Sequence, residues 1–147
     1  MNMDKEKIFY GELEDLNLKT LIALSRCTQN VHRTEYKTIK EGGLTVSQFA
    51  VLEILYHKGD LRVCEITEKI LSTAGNMTVV IDNLVKQNLV KRTIDPNDRR
   101  VNQISITEEG RKHMGGIFPK HLENINEIFS VLTSEEKKDL IRLLKKL

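Results

Sequence analysis

Little in this sequence points to catalysis, secretion or a membrane. Its two cysteines, Cys27 and Cys64, lie far apart and without metal-ligand spacing, so no metal site is expected and a cytoplasmic protein with free thiols is. No apolar run approaches the roughly 20 residues of a membrane span. The first ten residues mix acids with lysines and carry no apolar core, which excludes a secretory signal there. A glycine-rich phosphate loop, an HExxH pair and a serine-nucleophile motif are all missing, so neither an enzyme nor a bound cofactor is expected. An excess of one charge is missing too. The 23 basic and 21 acidic residues leave +2, so any case for nucleic acid must rest on local arrangement rather than on net charge.

What is present is helix-forming and amphipathic. With 39% apolar and 30% charged residues the chain is globular rather than disordered, and 147 residues suffice for one domain plus a dimerisation element. From Leu13 to Ile39 apolar residues recur at helical spacing (Leu13, Leu16, Leu21, Leu24, Val31, Ile39), with no proline, until Glu41-Gly42-Gly43 supplies a glycine C-cap. Thr45-Val46-Ser47-Gln48 has the pattern of a capping box opening a helix over Ser47 to His57. Lys58-Gly59-Asp60 is a turn, and Leu61 fits a short strand.

The most informative stretch runs from Leu61 to Thr107. Val63, Ile66 and Ile70 give the period of a short helix. A second helix follows from Ser72 or Thr73, either of which can cap it, to about Gln87. Met77, Val80, Ile81 and Leu84 are spaced to face a core, which leaves Thr73, Ala74, Asn76, Thr78 and Val79 outward. That face is small and polar, with no acid before Asp82. Asn76 can pair bidentately with adenine, and threonines can bond bases or phosphates. Gly75 in the first turn costs on the order of 1 kcal/mol against alanine, which calls for a packing or close-approach reason. Two β-type runs, Leu89 to Ile94 and Gln103 to Ile106, flank the charged tip Asp95-Pro96-Asn97-Asp98-Arg99-Arg100. Helix, turn, helix and a basic-tipped hairpin predict a winged helix-turn-helix. Arg99 and Arg100 are placed to reach phosphate or a minor groove, and Asp98 to hold Arg100.

Thr107-Glu108-Glu109-Gly110 opens another helix, whose stripe is Met114, Ile117, Phe118, Leu122, Ile125, Ile128, Phe129 and Leu132, with a kink expected at Pro119. Thr133-Ser134-Glu135-Glu136 is a second capping box before a last helix reaching Leu147. His32, His57, His113 and His121 are expected at surfaces or interfaces. The expected fold class is therefore mainly α with a small β-wing: a winged helix-turn-helix (44–107) flanked by N-terminal (1–43) and C-terminal (108–147) dimerisation helices. A two-fold dimer would bury those terminal helices and set two recognition helices roughly 34 Å apart, one turn of DNA.

These motifs resemble the MarR family of bacterial transcription regulators. The likeness is carried by Leu44-Thr45-x-x-Gln48-Phe49-x-Val51-Leu52, by Gly75-Asn76-Met77-Thr78-x-x-Ile81-Asp82-x-Leu84, and by Asp98-x-Arg100 through Ile106-Thr107-x-x-Gly110. The resemblance implies a homodimer on a pseudo-palindromic operator in double-stranded DNA. It implies repression relieved by a small aromatic, phenolic or quinone-type ligand, or by oxidation. It would place Thr73, Ala74, Asn76, Thr78 and Val79 in the major groove, and Arg100 in the minor groove with Asp98 behind it. Residues 49–60 and Ile117-Phe118-Pro119-x-His121 look like the branch that responds to quinones and hydroquinones. Ligand-pocket candidates are Leu21, Leu24, Phe49, Tyr56 and Met114, with Arg26 or His32 as polar anchors. The alternative signal is thiol-based: Cys27 has Arg26 beside it, and Cys64 lies near a helix N-terminus. The family's hydroperoxide-sensing branch carries its reactive cysteine at a position that is Leu21 here. A winged helix used only to bind protein would need an apolar outward face, which this sequence does not offer.

Overall fold

The computed structural model describes residues 8–70, 73–98 and 102–147. Among them the chain forms six helices and three strands: α1 (Glu12–Glu41), α2 (Val46–Lys58), β1 (Leu61–Arg62), α3 (Val63–Ile70), α4 (Ala74–Lys86), β2 (Val90–Ile94), β3 (Asn102–Ile106), α5 (Glu108–Ile128) and α6 (Ser134–Leu144). The strands make one antiparallel sheet in the order β1-β3-β2. Thr93 faces Gln103 across β2 and β3, and the two-residue β1 pairs Arg62 with the same Gln103. The chain divides into two compact units, 1–34 and 35–147.

The smaller unit holds most of α1. Leu13, Leu16, Leu21, Ile22 and Leu24 all stand exposed in the single chain. Of the apolar stripe predicted for this helix only Ile39, which belongs to the larger unit, is buried. No helix is long and apolar enough to cross a membrane among the described residues.

The larger unit has a continuous core. Phe49, Val51, Leu52 and Leu55 of α2 meet Ile66 of α3, Met77, Ile81 and Leu84 of α4, Ile104 of β3 and Met114 of α5, none more than 2% exposed. Each such burial contributes about 1.5–3 kcal/mol.

Local chemistry ends each element where the sequence predicts, or close to it. The capping boxes at Thr45/Gln48 and Thr133/Glu136 both form. At the end of α1 the Leu44 N–H donates to Ile39 O and the Gly43 N–H to Lys40 O, with Gly43 at φ +76°. This is a left-handed C-terminal lock, closed by the buried Ile39–Leu44 pair. Gly42 serves differently, since a Cβ there would fall 2.4 Å from Ile117 Cδ1 on α5. The last helix stops at Leu144 rather than at Leu147; beyond it the bonding tightens, with the Lys146 N–H donating to Leu143 O and the Leu147 N–H to Leu144 O. Pro119 lies within α5, which continues to Ile128. Leu122, predicted in the buried stripe of α5, is exposed in the single chain.

Candidate nucleic-acid interface

The second helix of the motif, α4, shows how one sequence builds two faces. Met77, Ile81 and Leu84 are fully buried and Val80 nearly so, as their spacing requires. Thr73, Asn76, Thr78 and Val79 are all exposed. Thr73 is the N-cap: its Oγ1 accepts the Asn76 N–H at 3.3 Å. The cap uses the acceptor side of that hydroxyl and leaves its proton to donate. The predicted alternative cap, Ser72, lies outside the described residues, as does the side chain of Ala74. In front of Gly75 there is open space, since a Cβ there would meet nothing within 4 Å. Among the described residues, no packing demands that glycine.

The far end of α4 is locked by Asn88, the one described non-glycine residue with positive φ (+58°). The Leu89 N–H donates to Leu84 O at 3.0 Å and the Asn88 N–H to Val85 O at 2.9 Å. The buried pair Leu84–Leu89 completes the same lock that ends α1. The carbonyl of Asn88 accepts the Thr107 hydroxyl at 2.6 Å, and that hydroxyl also accepts the Gly110 N–H as the N-cap of α5. Thus one threonine joins the end of α4, the wing and α5.

Asp82, the first acid on α4, is engaged by the Arg92 guanidinium of β2, so its charge is offset on the face it shares with the exposed residues. Lys91 and Arg92 stand exposed on the outgoing strand of the wing. Arg99 and Arg100 lie outside the described residues; Asp98 is half-buried. What sequence reasoning missed is Asp95. Predicted only as part of a charged tip, it is buried at 1% exposure and accepts both Arg62 Nε (3.0 Å) and Nη2 (2.7 Å) on Oδ2. Its Oδ1 accepts the Asn97 N–H at 2.8 Å. Asn97's N–H and then Arg62's hydrogen bond hold the Asp95 carboxyl below the usual carboxylate range, and the pairing raises Arg62. The Asp95-Pro96-Asn97 run is itself the signal of such a turn; Arg62, 33 residues away, has none in the sequence.

The ligand candidates separate. Phe49 and Met114 are core residues of the larger unit, and Tyr56 is half-buried there. Leu21, Leu24, Arg26 and His32 are exposed on α1 in the smaller unit. His121, predicted at a surface or interface, is instead 5% exposed. Its ring stands 4.7 Å from Phe49 and 5.9 Å from Phe118, centroid to centroid. Its Nε2 is 3.9 Å from Glu35 Oε1, and its buried Nδ1 has no hydrogen-bond partner among the described residues. The reason is the turn of α5, which puts His121 on the stripe of Met114 and Ile117. Cys27 and Cys64 are both free and exposed, Cys64 in the first turn of α3.

Comparison with known proteins fits this geometry. The MarR family model matches residues 44–101. HTH-type transcriptional regulator MhqR of Bacillus subtilis is 40% identical over 134 residues, 91% of this chain and 92% of that protein. A mutant MarR from E. coli, solved in complex with operator DNA, superposes with a TM-score of 0.77 at 25% identity, covering 90% of this chain and 94% of that one. Bordetella bronchiseptica BpsR, whose DNA binding is regulated by 6-hydroxynicotinic acid, gives 0.76 at 25% identity, covering 87% and 97%. The exposed, capped α4, the three-stranded wing and these likenesses agree: the chain belongs to the MarR family of DNA-binding transcription regulators, which are not enzymes.

Proposed function

We propose that this regulator is a homodimeric repressor of a pseudo-palindromic operator, released by a small aromatic ligand of phenolic or quinone type. The observation that carries the DNA geometry is α4, whose inner face is buried while Thr73, Asn76, Thr78 and Val79 stand exposed around an unobstructed Gly75. An open glycine lets a DNA backbone come close to the helix. In this reading Thr73, Ala74, Asn76, Thr78 and Val79 enter the major groove. Arg99 and Arg100 take phosphate or minor groove, with Asp98 supporting Arg100. The dimer is supported by the apolar residues left uncovered in the single chain, Leu13, Leu16 and Leu21 on α1 and, separately, Ile141, Leu143 and Leu144 on α6.

For the effector we propose the aromatic cluster of the larger unit. Phe49, Phe118 and His121 pack ring against ring there, with Tyr56 beside Phe118; a planar hydroxylated ligand would part these rings to reach the buried Nδ1 of His121, which has no partner among the described residues. BpsR's response to a hydroxylated aromatic acid supports the ligand class. The competing signal is covalent, at exposed Cys27 or Cys64.

One experiment separates them. The purified protein is titrated onto DNA upstream of its own gene, with and without quinones and phenolic acids, alongside Cys27→Ser and Cys64→Ser. Release that survives both serines supports the non-covalent site, and His121→Ala should then abolish it. Release lost with one serine overturns that reading and names the reactive cysteine. Absence of binding to any duplex would overturn the operator reading.

A further inference from the structure

We infer that Arg62 and Asp95 act as a positioning clamp that sets the wing against the helix-turn-helix for operator binding. Neither side chain has to touch DNA for this. Arg62 closes β1 and immediately precedes α3, and its backbone N–H donates to Glu65 Oε2 at 2.8 Å, tying it to the first turn of that helix. Its guanidinium spans to the other end of the motif and places two hydrogen bonds on one oxygen of Asp95, directly after β2. The second oxygen of Asp95 holds the Asn97 N–H and so fixes the first turn of the wing loop. One buried carboxylate therefore fixes the start of the loop and anchors it to α3.

At the β1 edge, backbone pairing alone gives this junction little stiffness. β1 contributes only the pairs Leu61–Ile104 and Arg62–Gln103, whereas β2 and β3 are joined over five. The hairpin keeps its own shape without the clamp, and buried Val90, Ile104 and Ile106 hold its base on the helices; what the clamp adds is to hold the loop end of β2 against α3. Asp95 is 1% exposed and Arg62 43%, so the carboxylate is the fixed partner and the arginine the arm that reaches it. A charge-assisted, two-point contact resists rotation in a way that a single hydrogen bond does not.

The test uses Asp95→Asn, Arg62→Met and the double variant of the full chain, with an operator enriched from random duplexes by the wild-type protein. Affinity is measured across a salt series, and thermal melting and dimer mass on the same samples. Each single variant should lose tenfold or more in affinity, with a shallower salt slope by about one released ion as wing contacts drop out. The double variant should bind no worse than the weaker single variant, because both remove one clamp. Affinity within twofold of wild type in folded single variants would overturn the proposal. Additive losses would also overturn it, making Arg62 a direct phosphate contact. So would a loss restored by cooling in step with the melting curve, which is plain destabilisation. If Asp95→Asn does not fold, Arg62→Lys decides on the same terms, since it keeps the charge but not the two-point contact.

Discussion

A Cβ placed on Gly110 would lie 2.1 Å from the carbonyl oxygen of Leu89. That oxygen also accepts the Thr107 N–H, at 3.1 Å, so the chain entering β2 and the chain leaving β3 meet at this glycine. Neither backbone can yield without opening the wing. Gly110→Ala should therefore destabilise the protein by about 2 kcal/mol or more, within the range for overpacked sites. Thermal or urea unfolding measures it; an unchanged midpoint would show that the junction adjusts freely.

Gly75 makes the opposite prediction. Open space faces it, so Gly75→Ala should raise helix stability by about 0.5–1 kcal/mol. If DNA approaches the helix here, the same substitution should weaken operator binding severalfold. A variant both more stable and equally tight on DNA would remove the close-approach reading of this glycine.

Asn88 holds the left-handed residue that ends α4. Asn88→Gly should be neutral or slightly stabilising, whereas Asn88→Val should cost about 1–2 kcal/mol because a β-branched side chain resists this conformation. Comparing the two melting temperatures checks it without reference to any ligand.

Acid should act through Asp95. The Asn97 N–H and the Arg62 hydrogen bond hold its carboxyl below the usual range. A group with a depressed folded-state pKa stabilises above its unfolded pKa, near 4, and loses that contribution as pH falls through its folded value. The stability lead of wild type over Asp95→Asn should thus be constant from about pH 5 upward and shrink as pH falls below about 4. A lead that does not change with pH would show that the Asp95 charge contributes nothing to it.

Asn76→Ala should relax base preference at one symmetric pair of operator positions, by about 1–3 kcal/mol of discrimination. Selection of preferred sites by the variant reads this out; a uniform loss across sequences would make Asn76 a phosphate contact instead.

The elements were legible where the cause is local. Thr45 and Gln48, Thr133 and Glu136, and the spacing of Met77, Ile81 and Leu84 state their roles within a few residues. The outward face of α4 followed by elimination. Contacts across long loops were not legible. Asp95 has the same composition as an exposed turn acid until Arg62 arrives from β1. His121 was expected at a surface or interface with the other scattered histidines, and its place on the stripe of Met114 and Ile117, against Phe49, shows only in the packing. On α1 the periodicity was seen but its covering was not, since Leu13 and Leu16 stay exposed in the single chain.

The two locks on α4 bear on how such a protein can be switched. Thr73 closes one end, Asn88 and the buried Leu84–Leu89 pair close the other, and the inner face is anchored throughout. Fraying this helix from either end would forfeit a lock and part of the buried face, which favours its displacement as a unit over its melting. In the dimer proposed above, a signal that silences the operator would have one economical route, to change the span between the two copies of α4. Because the repeat of DNA is fixed, a shift of a few ångströms in that span is enough to put both copies out of phase with their grooves.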